Sequence, residues 1–178
     1  MRRTLFIGAF ALGIVASLWA TTLQKLSTDD MIRQSTGIVR AKVTGSYAAY
    51  LGRDIYTYYQ LQVTETLKAG AAQSVTVAIP GGTAKGVRQM VPGAPVLKTG
   101  QEYVIFLWTS RSGLTQIIGL SQGLFGETTD ASGNTILVRS ASTGLVLNAA
   151  GQPVSDQPVA MSLAALRAEI ASVLGASK

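Results

Sequence analysis

Ile55-Tyr56-Thr57-Tyr58-Tyr59-Gln60-Leu61-Gln62-Val63 is the stretch on which the fold turns. Ile55, Thr57, Tyr59, Leu61 and Val63 fall on one side of an extended chain, and Tyr56, Tyr58, Gln60 and Gln62 fall on the other. That is the period of two of a half-buried strand. Upstream, Val39, Ala41 and Val43 alternate with Arg40 and Lys42 in the same way. Two antiparallel strands are therefore expected, joined by a polar, Tyr-containing connection. Downstream, Val75, Val77 and Ile79 predict a third strand, ended by Pro80-Gly81-Gly82. Residues 103–109 are so continuously apolar that they predict a central strand buried on both faces. Gly113 begins another turn, with residues 114–120 behind it. Strands of this length between turn signals imply a mainly β domain, a sandwich or an antiparallel barrel, rather than a βαβ arrangement.

The last third of the chain is less dense. Residues 124–129 and 135–139 flank Asp130-Ala131-Ser132-Gly133-Asn134, and residues 145–147 and 153–154 flank 148–152, so both pairs predict hairpins across polar turns. A short N-terminal helix is expected near Ser27, which stands in capping-box spacing with Asp30 while Leu26 and Met31 form a hydrophobic staple. Asp29 and Asp30 suit the positive end of that helix better than they suit a metal. Leu163, Leu166, Ile170, Val173 and Leu174 recur at helical spacing between an N-cap at Ser162 and a stop at Gly175. This C-terminal helix either docks on the domain or forms a loose appendage, because its four flanking alanines make the apolar face wide but shallow.

Residues 1–20 read as a secretory signal: Arg2 and Arg3 precede an apolar run from Leu5 to Ala16 and a small-residue segment ending at Ala20. A retained anchor is the competing reading, but a span needs roughly 20 consecutive apolar residues, and this shorter run is interrupted by Gly8 and Gly13. The arginine pair fits an ordinary export signal or a twin-arginine address. A signal peptide at 1–20 and a single domain at 21–178 are expected, periplasmic or extracellular, with no stable membrane span after processing. The net charge of +6 falls to +4 without Arg2 and Arg3, thirteen basic against nine acidic residues, which is no footprint for nucleic acid. With no cysteine, stability must come from packing and hydrogen bonds alone.

The absence of histidine and cysteine removes imidazole and thiolate chemistry, so no catalytic or metal-ligating residue and no cofactor is expected. Enzymes of another kind would need carboxylates, for which Glu102 with Glu127 or Asp54 with Glu65 are the candidate acid–base pairs, or a Ser-Lys pair drawn from Lys42, Lys68, Lys85 and Lys98. Gly81-Gly82-Thr83-Ala84-Lys85-Gly86 lacks the spacing of a phosphate loop and reads as a flexible turn or a mobile loop at a barrel mouth.

Ser35-Thr36-Gly37-Ile38-Val39-Arg40-Ala41-Lys42-Val43, then residues 56–68, 75–82 and Gly100-Gln101-Glu102-Tyr103-Val104-Ile105-Phe106-Leu107 resemble the order of segments in netrin-like modules. The resemblance covers roughly residues 35–125 and implies an OB-type barrel of about five strands. The whole chain, including residues 20–23 and Gly119-Leu120-Ser121-Gln122-Gly123-Leu124-Phe125, is also similar to a group of exported bacterial proteins with no assigned activity. The netrin-like class includes metalloproteinase inhibitors, which chelate their target through an N-terminal cysteine that this chain lacks. The expected architecture is thus an antiparallel OB-like β-barrel with a short N-terminal helix and a C-terminal helix.

Strand parity supplies the candidate site. Arg40, Lys42, Tyr56 and Tyr58 should share an outward surface able to stack on rings and pair with anions, unless the helices at the two ends of the chain cover the tyrosines or they are ordinary cross-strand pairs. The function that follows is an exported, non-enzymatic binding module for a protein or an envelope polymer. A carboxylate-dependent enzyme acting on an extracellular polymer is the alternative.

Overall fold

In the computed structural model, which describes residues 22–68 and 72–176, the alternating stretch belongs to one long hairpin. The expected export signal at 1–20 lies outside the described residues. The elements are β1 (Thr22–Gln24), α1 (Thr28–Gln34), β2 (Gly37–Leu51), β3 (Asp54–Lys68), β4 (Ser74–Pro80), β5 (Gly82–Ala84), β6 (Val87–Gln89), β7 (Glu102–Thr109), β8 (Thr115–Ile117), β9 (Leu124–Thr129), β10 (Thr135–Arg139), β11 (Leu145–Leu147), β12 (Val159–Ser162) and α2 (Leu163–Gly175). β2 and β3 pair from Ile38↔Lys68 out to Leu51↔Asp54, so the expected polar connection is itself strand. Its strand character is hidden because the register shifts between Val43 and Gly45. An extra residue there breaks the period of two, after which Ser46, Ala48 and Tyr50 lie opposite the inward residues Tyr59, Thr57 and Ile55.

The main sheet runs β12-β10-β9-β7-β2-β3-β4 and is antiparallel throughout. The edge of β7 away from β2 is shared: residues 103–105 pair with β9, and residues 107–109 pair with β8. The expected barrel is not closed among the described residues. β4 comes within 8 Å of β8, Cα to Cα, but no ladder joins them. β8 is only three residues long and β4 ends in Pro80, which has no N–H to donate. A groove of about 380 Å³ between them is lined by Ala78, Pro80, Trp108 and Gln116.

Two apolar cores lie on opposite faces of β2 and β7. Inside the curl, Val39, Ala41 and Val43 meet Tyr59, Leu61, Val77, Ile79, Tyr103, Ile105 and Leu107. On the outer face, Ile38, Val104, Phe106, Phe125 and Leu137 pack against Met31 and Ile32 of α1 and Leu163, Leu166, Ile170 and Val173 of α2. β7 is therefore buried on both faces through Leu107, as its composition predicts, while Trp108 and Thr109 emerge. Helix α2 docks and is no loose appendage: Leu166 is fully buried, and a side chain of that kind contributes about 1.5–3 kcal/mol. Both predicted N-caps are present. Ser27 and Asp30 exchange the two bonds of a capping box, and the Ser162 hydroxyl accepts from Ala165 N–H at 3.0 Å.

The 119–125 segment has a structural role. Gln122, 1% exposed, donates to the Gln24 carbonyl at 2.8 Å and accepts from Leu26 N–H at 2.9 Å. It thereby clamps the chain between β1 and α1. A Cβ on Gly119, whose φ is +61°, would stand 3.0 Å from that amide, and one on Gly123 would stand 2.7 Å from Ile118. β1 in turn pairs in parallel with β11, whose own hairpin with Pro153 and Val154 is present as a bridge and a 2.8 Å bond. The intervening loop is pinned by a buried ion pair. Arg139 grips Asp156 through both carboxylate oxygens, at 2.6 and 3.0 Å, with side chains 8% and 2% exposed.

Candidate functional site

The outer face of the β2–β3 hairpin is built in two parts, separated by the bulge after Val43. In the part nearest the helices, Arg40 donates to both oxygens of Glu127, at 2.6 and 2.8 Å, and to Glu102 at 3.2 Å. The Glu127 carboxylate holds this guanidinium above its ordinary range. Glu102 also accepts from the Thr64 hydroxyl at 3.0 Å. Alongside, Arg167 of α2 donates twice to Glu65, at 2.9 and 2.8 Å, and pushes that carboxyl below its usual range. Arg40 is thus committed to internal carboxylates, and Lys42, exposed beside it opposite Glu102 and Gln62, forms no ion pair among the described residues.

The candidate acid–base pairs fare differently. Glu102 and Glu127 are brought together, but around one guanidinium. Asp54 and Glu65 stand at opposite ends of β3, about 36 Å apart for an extended chain, with Asp54 bonded to Gln89 at 3.2 Å. Among the lysines, Lys68 donates to the carbonyls of Ile32 at 2.6 Å, of Arg33 at 3.1 Å and of Ser35. It closes the C-terminus of α1, whose last carbonyls have no partners within the helix. Desolvation in this position pushes its ammonium down. Lys85 lies 6.0 Å from the centre of the Tyr50 ring. Its loop is a hairpin, β5–β6, turning at Lys85 and Gly86 with φ of 49° and 77°. Such a turn takes positive φ at both central residues and matches the twist of a two-residue hairpin.

Beyond the bulge, the outer face is aromatic. Tyr47 and Tyr58, directly opposed across the strands, stack with ring centroids 5.1 Å apart and planes 14° apart. Tyr56 continues the row, 6.5 Å from Tyr58. Tyr47 is 52% exposed, whereas Tyr56 and Tyr58 are half-buried beside Pro80 and Ala78 of β4. Gly45 makes room for Gln60, whose Oε1 would stand 2.9 Å from a Cβ at that position. The structure therefore brings Tyr56 and Tyr58 together with a residue that parity missed, Tyr47. It places Arg40 and Lys42 on the same face, across the bulge. Among the described residues, α1 and α2 pack over Val104, Phe106 and Leu137, in a cluster that does not include the three rings.

Among the described residues no set of three acidic side chains converges to hold a metal, and no helix is long and apolar enough to cross a membrane. Comparison of the chain with family models, curated proteins and solved structures returns no match.

Proposed function

We propose that the protein is an exported, non-catalytic binding module that recognises a ring-containing envelope polymer on the tyrosine row of its β2–β3 hairpin. The observation that carries this reading is the stacked Tyr47–Tyr58 pair, extended by Tyr56 on one sheet face, with Tyr47 52% exposed and the other two rings half-buried. Aromatic faces held in this way present large contact area at little entropic cost, and stacking tolerates any flat or sugar ring. Gln60 and Gln62, exposed on the same face of β3, supply hydrogen-bonding groups beside the rings. The strand order β4-β3-β2-β7-β8, with β4 alongside β8, supports an OB-type barrel left open at one seam. OB-type barrels bind on this kind of strand face. The charged n-region and apolar run at 1–20 support export to the periplasm or the medium. The alternative, a carboxylate enzyme, draws no support from Glu102 and Glu127, which are engaged by Arg40.

Co-sedimentation of the purified protein with insoluble cell-wall polymer tests the reading. The wild type should pellet saturably, and a Tyr47→Ala, Tyr58→Ala double variant should lose binding at least tenfold while remaining folded. Equal pelleting of the variant, or release of soluble products by the wild type, would overturn it. Capture of one stable exported protein that is lost in the same variant would move the assignment from polymer to protein.

A further inference from the structure

Pro80-Gly81-Gly82 turns the end of β4 back beneath the distal half of β3 and into the β5–β6 hairpin. Only glycine fits there: Gly82 has a φ of +139°, and a Cβ on it would lie 2.5 Å from Thr57 Oγ1, while Gly81 has a φ of +98°. The Thr57 hydroxyl donates to the Gly81 carbonyl at 2.8 Å, and Ile55 N–H donates to Gln89 Oε1 at 2.7 Å. These bonds hold the small hairpin at a fixed distance from the sheet. Between it, the β3–β4 wall and the 90–96 loop lies a cavity of about 410 Å³, large enough for a small organic molecule.

Its wall is apolar where Ile79, Val91, Ala94 and Pro95 line it, and the apolar surface continues outward onto Met90 and Val96, 74% and 78% exposed. Two polar groups reach the wall. The Tyr59 ring is buried, 6% exposed overall, while its hydroxyl, which makes no hydrogen bond among the described residues, stays within reach of solvent. Arg88, exposed to solvent, also lines the cavity and forms no ion pair among the described residues, so its guanidinium is available at the mouth; Asp54, at the same end of the hairpin, is bonded to Gln89. A cation and a spare hydroxyl beside an apolar trough are complementary to a molecule with an acidic head and a hydrocarbon body.

We infer that this cavity is a binding site for a small amphipathic carboxylate, an acyl-chain acid. The Arg88 guanidinium pairs with the carboxylate, the Tyr59 hydroxyl supplies a second polar contact, and the chain lies along Ile79, Val91 and Ala94 toward Met90. This site is separate from the tyrosine row, since Tyr59 and Tyr58 point to opposite faces of β3.

Isothermal titration with decanoate below its micelle concentration tests the inference, with acetate and decanol as companions. One saturable site for decanoate is expected, with no detectable binding of acetate and at least tenfold weaker binding of decanol. Arg88→Ala and Tyr59→Phe should each weaken decanoate binding severalfold, and the second variant leaves the core ring in place. Absence of saturable binding, equal affinity for decanol, or indifference to both variants would overturn it. Tyr47→Ala, which removes a ring from the other face, should leave decanoate binding unchanged.

Discussion

The two ends of the β2–β3 hairpin share one ladder and differ in what their outer faces touch. Near the helices, most charged groups are satisfied internally, Arg40 by Glu127 and Glu102, Glu65 by Arg167, and Lys68 by three carbonyls at the end of α1, while Lys42 stays exposed. Beyond the bulge, the outer face carries stacked rings that lie outside the cluster packed by α1 and α2. The contrast shows which residues build this molecule and which it can offer to others. Arg40, which looks available in an alternating strand, is used as an internal tie, whereas Tyr47 remains exposed and Tyr56 and Tyr58 half-exposed beside it.

If the helix-covered end is structural, the largest losses of stability must come from there. Phe106→Ala empties a fully buried site whose ring lies 5.7 Å from that of Phe125 and should cost about 3–5 kcal/mol in urea unfolding. A tolerated Phe106→Ala would break the division between the two ends.

The loop tie should come next. Asp156→Ala strands the buried Arg139 guanidinium, whose Nε already has no partner among the described residues, and should cost about 3 kcal/mol or more. The same pair sets an acid dependence. Arg139 holds the Asp156 carboxyl far below its ordinary range, with help from Ser142 N–H at 2.7 Å. The folded state therefore prefers the ionised form, and the unfolded chain takes up a proton first. This contribution is fully present above about pH 4, the value for an unfolded aspartate, and is lost as pH falls through the folded value. A urea midpoint that does not decline on acidification in wild type, or that declines equally in Asp156→Ala, would contradict it.

Across β3 itself the comparison sharpens to adjacent residues. Tyr59→Ala should cost about 3–5 kcal/mol, because its ring lies in the core inside the curl. Tyr58→Ala should cost only about 0.5–1.5 kcal/mol, the worth of a stacked pair. The reverse order would place the tyrosine row in a core and remove the proposed surface.

The smallest effect runs the other way. Burial, with Asp29 nearby, raises the Glu169 carboxyl above its usual range. A raised carboxyl favours the folded state while protonated, so its penalty grows as pH rises from the unfolded value near 4.3 through the folded one. Glu169→Gln should therefore increase the melting temperature at pH 7 and leave it nearly unchanged at pH 3. A decrease at pH 7 would show that the carboxylate is held by a favourable contact.

Local chemistry determined much of this protein from sequence alone. The capping box at Ser27, the N-cap at Ser162, the alternation of β3, the doubly buried β7 and the β9–β10 hairpin across Asp130 to Asn134 all arise from neighbours within a few residues, so their signals are written consecutively. Tyr56 and Tyr58 were legible for the same reason. What only the tertiary structure decided depends on partners far apart in the chain. The bulge after Val43 erased the period that would have exposed Tyr47, and the three residues of β1 carry no pattern long enough to read. The commitment of Arg40 to Glu127 spans 87 positions, and the clamp of Gln122 on Gln24 spans 98. A side chain's parity fixes the face on which it emerges; whether that face is water or a carboxylate is settled only when the chain has folded back upon it.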